Sequence, residues 1–413
     1  MDRIRNKKIF PAGAVNRGRI VRAFPLNSEA ELQRGAALHQ AGRLQEAEAI
    51  YTRMLEMNPN HAGGLHLLGV LSLQRGEYGR AEDLIQRAIQ SDPDCPVYFN
   101  NLGAAFKAQG KFGEAISCYQ RAVQLDPAYA EAYYNMSSVF HDQGAYEEAV
   151  SCCRKALQIN PAYFQAHYNM GNALQAQGSF DKAIACYQRA IRIEPSLFQA
   201  YYHMGNAHRA QGRLDEAAAC YRKSVRLNPG LFEGYTDLGA VLRERGRLDE
   251  ALSCYRKAVD MKPYHVEALC GMGMIYSEHG DVEAALSCYE KALKIEPENA
   301  GTHNLMGIAY GKGGEFDKAF SCFEKALDLR PGYAEAACNM GNACRERGDF
   351  DGALLCYRQA LDIQPDYSEA YRNLEMANQR RGEEEEEAAS CHREARELMV
   401  DIPNGHKRIG NIC

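Results

Sequence analysis

In the stretch FQAHYNMGNALQAQGSFDKAIACYQRAIRIEPSL, residues 164–197, apolar and small positions fall into two helical stripes. His167, Met170, Gly171 and Leu174 recur at spacings of three and four, so they share one face of a helix. Gly178 ends that helix. Ala183, Tyr187 and Ala190 form the matching face of a second helix. Gly171 and Ala183 are small enough to let the two helices approach closely, and Tyr187 fills the gap beside them. Pro195 cannot continue the second helix and restarts the chain.

The same pattern returns along the chain. Pro59, Pro93, Pro127, Pro161, Pro195, Pro229, Pro263, Pro297, Pro331 and Pro365 lie 34 residues apart, ten of the 14 prolines on one lattice. Ala47 to Ala353 repeat in step, and so do Gly35 to Gly341, with Ser137 in the one missing glycine slot. Chance does not align three residue types over ten periods.

A period of 34 with these residues resembles the tetratricopeptide repeat. With the glycine at position 8 and the proline at position 32, ten full units run 28–61, 62–95, 96–129, 130–163, 164–197, 198–231, 232–265, 266–299, 300–333 and 334–367. The resemblance implies an all-α fold, a right-handed superhelical solenoid of helix-turn-helix repeats. One hairpin cannot bury its apolar face alone, so stacked units should share a continuous core in a single rod. Residues 368–400 read as a degenerate eleventh repeat. It opens with Tyr371, Leu374 and Ala377, then carries a glutamate run, Glu383 to Glu387. Ala388 fits the alanine slot one residue late, which predicts a one-residue loop insertion and a polar capping helix over about 384–400. Residues 1–27 read as a basic disordered tail and 401–413 as a frayed one.

Charge narrows the partner. Charged residues make up 25% and hydrophobic residues 46%, the balance of an ordinary folded protein. The first 26 residues hold Arg3, Arg5, Lys7, Lys8, Arg17, Arg19 and Arg22 against Asp2, so the rest of a chain of net charge −6 stands at −12. That body disfavours nucleic acid and favours basic or neutral proteins. No apolar run is long enough to span a bilayer. An Arg-rich leader is also the composition of a transit peptide, which Pro11 argues against.

Eight of the 15 cysteines occupy position 23, from Cys118 to Cys356. Equivalent points in adjacent repeats lie about 8–10 Å apart, too far for a disulfide or a shared metal ion. These cysteines read as small, half-buried apolar residues, and free thiols in this number predict a reducing, cytoplasmic setting. No metal or cofactor is expected: there is no C-x-x-C, and His203 and His208 are five apart, off the face of a helical zinc pair. No phosphate-binding loop or G-x-S-x-G occurs. GKGG at 311–314 reads as a lengthened turn between helices. Acidic pairs such as Asp215–Glu216 and Asp249–Glu250 sit where second helices start, as the helix dipole favours. The chain is therefore expected to be a protein-binding scaffold and not an enzyme.

In this repeat class the first helix of each unit lines the concave groove. Positions 2, 5, 6, 9 and 12 are expected to face outward there. Position 6 holds Asn101, Asn135 and Asn169, then Asn339 and Asn373; position 9 holds Asn172, Asn206 and Asn342. An amide offers a donor and an acceptor together, matching a peptide backbone. These asparagines are the candidate peptide-binding residues, with Tyr134, Tyr168 and Tyr202 at position 5 beside them. On this reading, replacing Asn101, Asn135 and Asn169 by alanine weakens a partner without changing the melting temperature.

The segments YFNNLGAAFKAQGKFGEAISCYQRAVQLDP and HYNMGNALQAQGSFDKAIACYQRAI resemble the repeat half of O-linked N-acetylglucosamine transferases. That resemblance implies that position-6 asparagines hold substrate backbones, with Asn101, Asn135 and Asn169 in that role. His203, Asp237, Gly271 and Leu305 depart from it. Tyr168, Gln199 and His203 stand where carboxylate-clamp repeats carry basic residues, so that clamp is not expected at 164–231. Three readings follow: a free adaptor for extended segments, the substrate-recognition part of a glycosyltransferase system lacking its catalytic domain, and a homo-oligomer joined through the convex face.

Overall fold

The computed structural model describes residues 28–381. The basic tail 1–27, the glutamate run, the capping helix proposed for 384–400 and the tail 401–413 lie outside the described residues. Among the described residues every regular element is a helix.

The chain divides into two compact units, at Ser179 and Phe180. A period alone cannot show such a division, because every repeat carries the same pattern. The first unit contains α1 (Ser28–Gln40), α2 (Leu44–Met57), α3 (Ala62–Gln74), α4 (Tyr78–Ser91), α5 (Pro96–Ala108), α6 (Phe112–Leu125), α7 (Ala130–Asp142), α8 (Tyr146–Ile159) and α9 (Phe164–Ala176). The second contains α10 (Phe180–Ile193), α11 (Phe198–Ala210), α12 (Leu214–Leu227), α13 (Phe232–Glu244), α14 (Leu248–Met261), α15 (Val266–Glu278) and α16 (Val282–Ile295). It continues with α17 (Ala300–Lys312), α18 (Phe316–Leu329), α19 (Ala334–Glu346), α20 (Phe350–Ile363) and α21 (Ser368–Arg381). Within each unit, each helix packs on its chain neighbours, and first helices also touch the first helices of the next hairpin.

Local chemistry sets the boundaries. The glycine at position 15 has φ between 71° and 83° in all ten full repeats, a conformation that other residues reach only with strain. At the end of α5, Lys111 N–H bonds to the Phe106 carbonyl at 2.9 Å and Gly110 N–H to the Lys107 carbonyl at 3.0 Å, a Schellman closure. GKGG is the same closure: Gly311 and Lys312 end α17, and Gly314 takes φ 76°. The turn is not lengthened. Second helices stop before the repeated proline, which forces the preceding residue out of helical geometry. Asp126 stands at φ −133°, ψ 95°, and its carboxylate accepts the Ala128 N–H at 2.9 Å.

The core is built on position 8 against position 24. A Cβ added to Gly103 would lie 2.6 Å from the Tyr119 ring, to Gly205 2.7 Å from Tyr221, and to Gly341 2.6 Å from Tyr357. Glycine is there because the ring occupies its side-chain space. Gly69 is blocked in the same way by the branched side chain of Ile85, at 2.6 Å, and Ser137 replaces glycine where position 24 is the small Cys153. Ser137 and Cys153 are buried.

Candidate binding face on the first helices

The first helices form a row in each unit, and their facing side chains obey a spacing that differs from the repeat by one. In the first unit, His39 meets Gln74 at 3.0 Å, His66 meets Asn101 at 2.7 Å, and Asn135 donates to the Oδ1 of Asn100 at 2.9 Å. Lys107 pairs with Asp142 at 3.0 Å, and Asn169 donates to the Tyr134 hydroxyl. In the second unit, Tyr202 donates to Asp237 at 2.7 Å, Arg209 to Glu244 at 3.2 Å and Arg243 to Glu278 at 3.1 Å. Asn339 donates to Asn304 at 3.1 Å, and Asn373 to the Cys338 sulfur at 3.5 Å. Each of these pairs is 35 residues apart.

Helical geometry explains the offset. Successive residues turn by about 100°, and residues seven apart share a stripe. Positions 5 and 12 point toward the following repeat; positions 6 and 13 point back toward the preceding one. Position 5 is thus an inter-repeat position and not an outward one, which corrects the reading of the pattern. His66, Asn100 and Asn304 are buried there.

Between the two stripes lie positions 2 and 9. In the first unit they carry Glu131, Ser138, Gln165 and Asn172, all half-buried. In the second they carry Gln199, Asn206, Glu233, Glu267, Glu335 and Asn342, with Glu233 and Glu267 exposed.

The candidate asparagines therefore occupy three settings. Asn101, Asn135, Asn169 and Asn339 are half-buried, each with one amide donor engaged in a rung; an amide has two donors and two acceptor lone pairs, so capacity remains. Asn206 and Asn342 accept the hydroxyls of Tyr221 and Tyr357 at 2.7 and 2.8 Å, which satisfies two buried phenols of their own hairpins. Asn172 belongs to the first unit and shares their position. Asn373 is itself buried and also donates to Asn342 at 3.0 Å. The gap in the ladder at Gly271 is steric: a Cβ there would lie 2.4 Å from the Tyr255 ring.

Burial sets the electrostatics. Desolvation holds His66 down at about 3, so its ring is neutral when it meets Asn101. Burial raises Glu131 above the ordinary glutamate range, against a hydrogen bond from Asn100. Burial also raises Asp237, opposed by the Tyr202 hydroxyl and Arg209 and reinforced by Glu267 and Glu233.

One cluster occurs twice and was not read from the sequence. Asn304, Tyr333, Glu335 and Asn339 form a hydrogen-bonded group. Asn100, Tyr129, Glu131 and Asn135 stand at the same offsets, with Asn100 bonded to both Glu131 and Asn135. The signal was a shared asparagine at position 5, visible only once the 35-residue spacing is known. Among the described residues no group of three or more His, Cys, Asp or Glu side chains is placed to hold a metal ion. No helix among them is long and apolar enough to cross a membrane.

Comparison with known proteins gives repeat families. The model of the Cilia and flagella-associated protein 70 C-terminal domain matches residues 7–231, more than half of the chain. The model of that protein's middle TPR-like domain matches 210–330, and a tetratricopeptide repeat model matches 298–366. A search of the curated proteins found no match. Among solved structures, a tetratricopeptide repeat protein from Parabacteroides merdae is 16% identical, covers 60% of this chain and 98% of its own, and has a TM-score of 0.50. The Cut9–Hcn1 assembly of APC/C is 15% identical over 85% of this chain and 83% of its own, with a TM-score of 0.49. YrrB, described as a TPR protein with an unusual peptide-binding site, is 25% identical over 45% of this chain and 96% of its own, with a TM-score of 0.41. The matched family models are repeat models, and none indicates an enzyme or a glycosyltransferase.

Proposed function

The chain belongs to the tetratricopeptide-repeat family of the Cilia and flagella-associated protein 70 C-terminal domain, and on that premise we propose that it is a non-catalytic scaffold that holds an extended protein segment against the row of first helices within a unit. The observation that carries this reading is the lane between the rungs. Rung side chains each spend a polar group on a neighbouring repeat, whereas the polar set at positions 2 and 9 lies between the two stripes, with Gln165 in the first unit and Gln199 in the second, both half-buried. Such groups meet a peptide backbone without selecting its side chains strongly. In the second unit Glu233, Glu267 and Glu335 stand in the same lane, which favours a basic segment. Each net hydrogen bond is worth about 0.5–1.5 kcal/mol, so several repeats must act together.

The test is site-specific photocrosslinking. A photoreactive residue at Gln165 or Gln199 should capture a partner from an extract of ciliated cells, and one at exposed Ser151 on α8 should not. Capture at Ser151 alone would move the binding face to the second helices.

A further inference from the structure

Position 9 changes character within the second unit. Asn206 on α11 and Asn342 on α19 are polar and accept tyrosine hydroxyls of their own hairpins. On the first helices between them, α13, α15 and α17, the position holds Ala240, Met274 and Ile308. All three are half-buried. Ile308 rests against the core cluster that contains Cys338 and Tyr357.

The polar rungs lapse over the same helices. The residues at rung spacing there are Thr236 with Gly271 and Cys270 with Leu305. Thr236 turns its hydroxyl to the Phe232 carbonyl of its own helix at 3.0 Å, and Gly271 has no side chain. Cys270 and Leu305 both pack against Ala285, Tyr289 and Ala309. The lane is therefore apolar along α13, α15 and α17, whereas the rungs to either side are hydrogen-bonded, Tyr202 to Asp237 and Asn339 to Asn304.

Position 2 lies seven residues before position 9, about 10.5 Å along the helix axis. It holds Glu233 on α13, Glu267 on α15 and Glu335 on α19. Glu233 and Glu267 are exposed. Glu335 is aimed by the buried Asn304, whose Nδ2 donates to its Oε1 at 3.2 Å. On α17 the position is Gly301, where an added Cβ would meet only the Asn299 Oδ1, at 3.3 Å. An apolar row and an acidic row thus run side by side across the first helices.

Taking the lane as the binding face, we propose that this stretch of it is a two-row docking strip that selects an extended segment in which apolar residues alternate with lysine or arginine.

An extended chain laid along the lane sends successive side chains to opposite sides. One set falls over Ala240, Met274 and Ile308, and the other toward Glu233, Glu267 and Glu335. Met274 is unbranched and adapts to aliphatic groups of different shape. Basic groups on the second set complement the carboxylates. Neighbouring first helices lie about 8–10 Å apart, two to three residues of extended chain, so a segment of about seven residues crosses all three apolar sites. Selection by side chain, weak where the lane is polar, is concentrated here.

The test uses the full chain and three fluorescein-labelled synthetic peptides, read by fluorescence anisotropy. The probe is Gly-Lys-Val-Lys-Leu-Lys-Val-Lys-Gly. In the second peptide serine replaces both valines and the leucine; in the third glutamate replaces every lysine. The probe should bind at least about tenfold more tightly than the serine peptide, and the glutamate peptide should not bind. This comparison is made on the unaltered chain and does not depend on the folding of any variant. Met274→Gln combined with Ile308→Thr, which keeps the size of both side chains and adds polar groups, should erase the preference for the probe over the serine peptide. Glu267→Lys should weaken both lysine peptides. Equal affinity for the probe and the serine peptide, with both weakened by Glu267→Lys, would uphold the lane and overturn the apolar row. Lysine peptides indifferent to Glu267→Lys, or a glutamate peptide that binds as the probe does, would overturn the strip altogether. No binding of the probe at about 1 mM would do so too, while capture at Gln199 would still uphold the lane.

Discussion

Asn135 donates its amide N–H to the Oδ1 of Asn100 at 2.9 Å, and Asn100 is 1% exposed. A residue expected to greet a ligand is therefore also a fastener between α7 and α5. Removing it leaves a buried carbonyl oxygen without that donor, a loss of about 1–3 kcal/mol. Asn135→Ala should lower the urea midpoint of the full chain, contrary to the unchanged melting that the pattern alone suggested. Adding Asn100→Ala in a double-mutant cycle should recover part of the loss. Additive losses would remove the rung from the account.

Buried tyrosines at position 24 divide by their partners. Tyr221 gives its hydroxyl to Asn206, whereas the Tyr51 hydroxyl is buried with none. Tyr221→Phe should cost about 0.5–1.5 kcal/mol, and Tyr51→Phe should be neutral or stabilising. Chemical denaturation of the two variants side by side reads the contrast.

Gly103 faces the Tyr119 ring so closely that an added Cβ would lie 2.6 Å from it. Gly103→Ala should destabilise by about 1–3 kcal/mol through overpacking. Ser137→Gly, opposite Cys153, relieves no ring contact and should not show that strain. Circular-dichroism melts of the two variants decide the point.

Glu131 gives a pH signature. Burial raises its folded-state value above the unfolded one, so the folded chain binds the proton more tightly. The contribution is fully favourable below the ordinary glutamate range and is lost as pH rises through the raised value. Glu131→Gln should therefore gain stability relative to the parent near neutral pH, and the gain should vanish in acid. Urea midpoints across pH 3–8, a range spanning about the ordinary carboxylate and histidine values, would show it; a gain independent of pH would point to packing instead.

The sequence made the hairpins legible because their punctuation is chemical. Gly178 and its equivalents close first helices at positive φ, and the repeated proline stops second helices. What it hid was the direction of side chains between hairpins. Asn135 repeats at 34 with Asn101 and Asn169, which suggests a ladder of like residues, yet its partner is Asn100, one stripe around the neighbouring helix. Tertiary offset, invisible in a period, turned that ladder into rungs. Asn206 was legible as polar and outward, but its service to Tyr221 needed the depth of the ring. The division at Ser179 left no mark on the pattern at all.

The central claim is that partners lie in the lane between the rungs. A partner segment captured by crosslinking should be titrated by calorimetry against the parent chain and against Gln165→Arg, Gln199→Arg and Ser151→Arg. The account predicts at least about a tenfold loss of affinity, 1.4 kcal/mol, for a lane variant and none for Ser151→Arg. Equal affinity for the parent and both lane variants would contradict it.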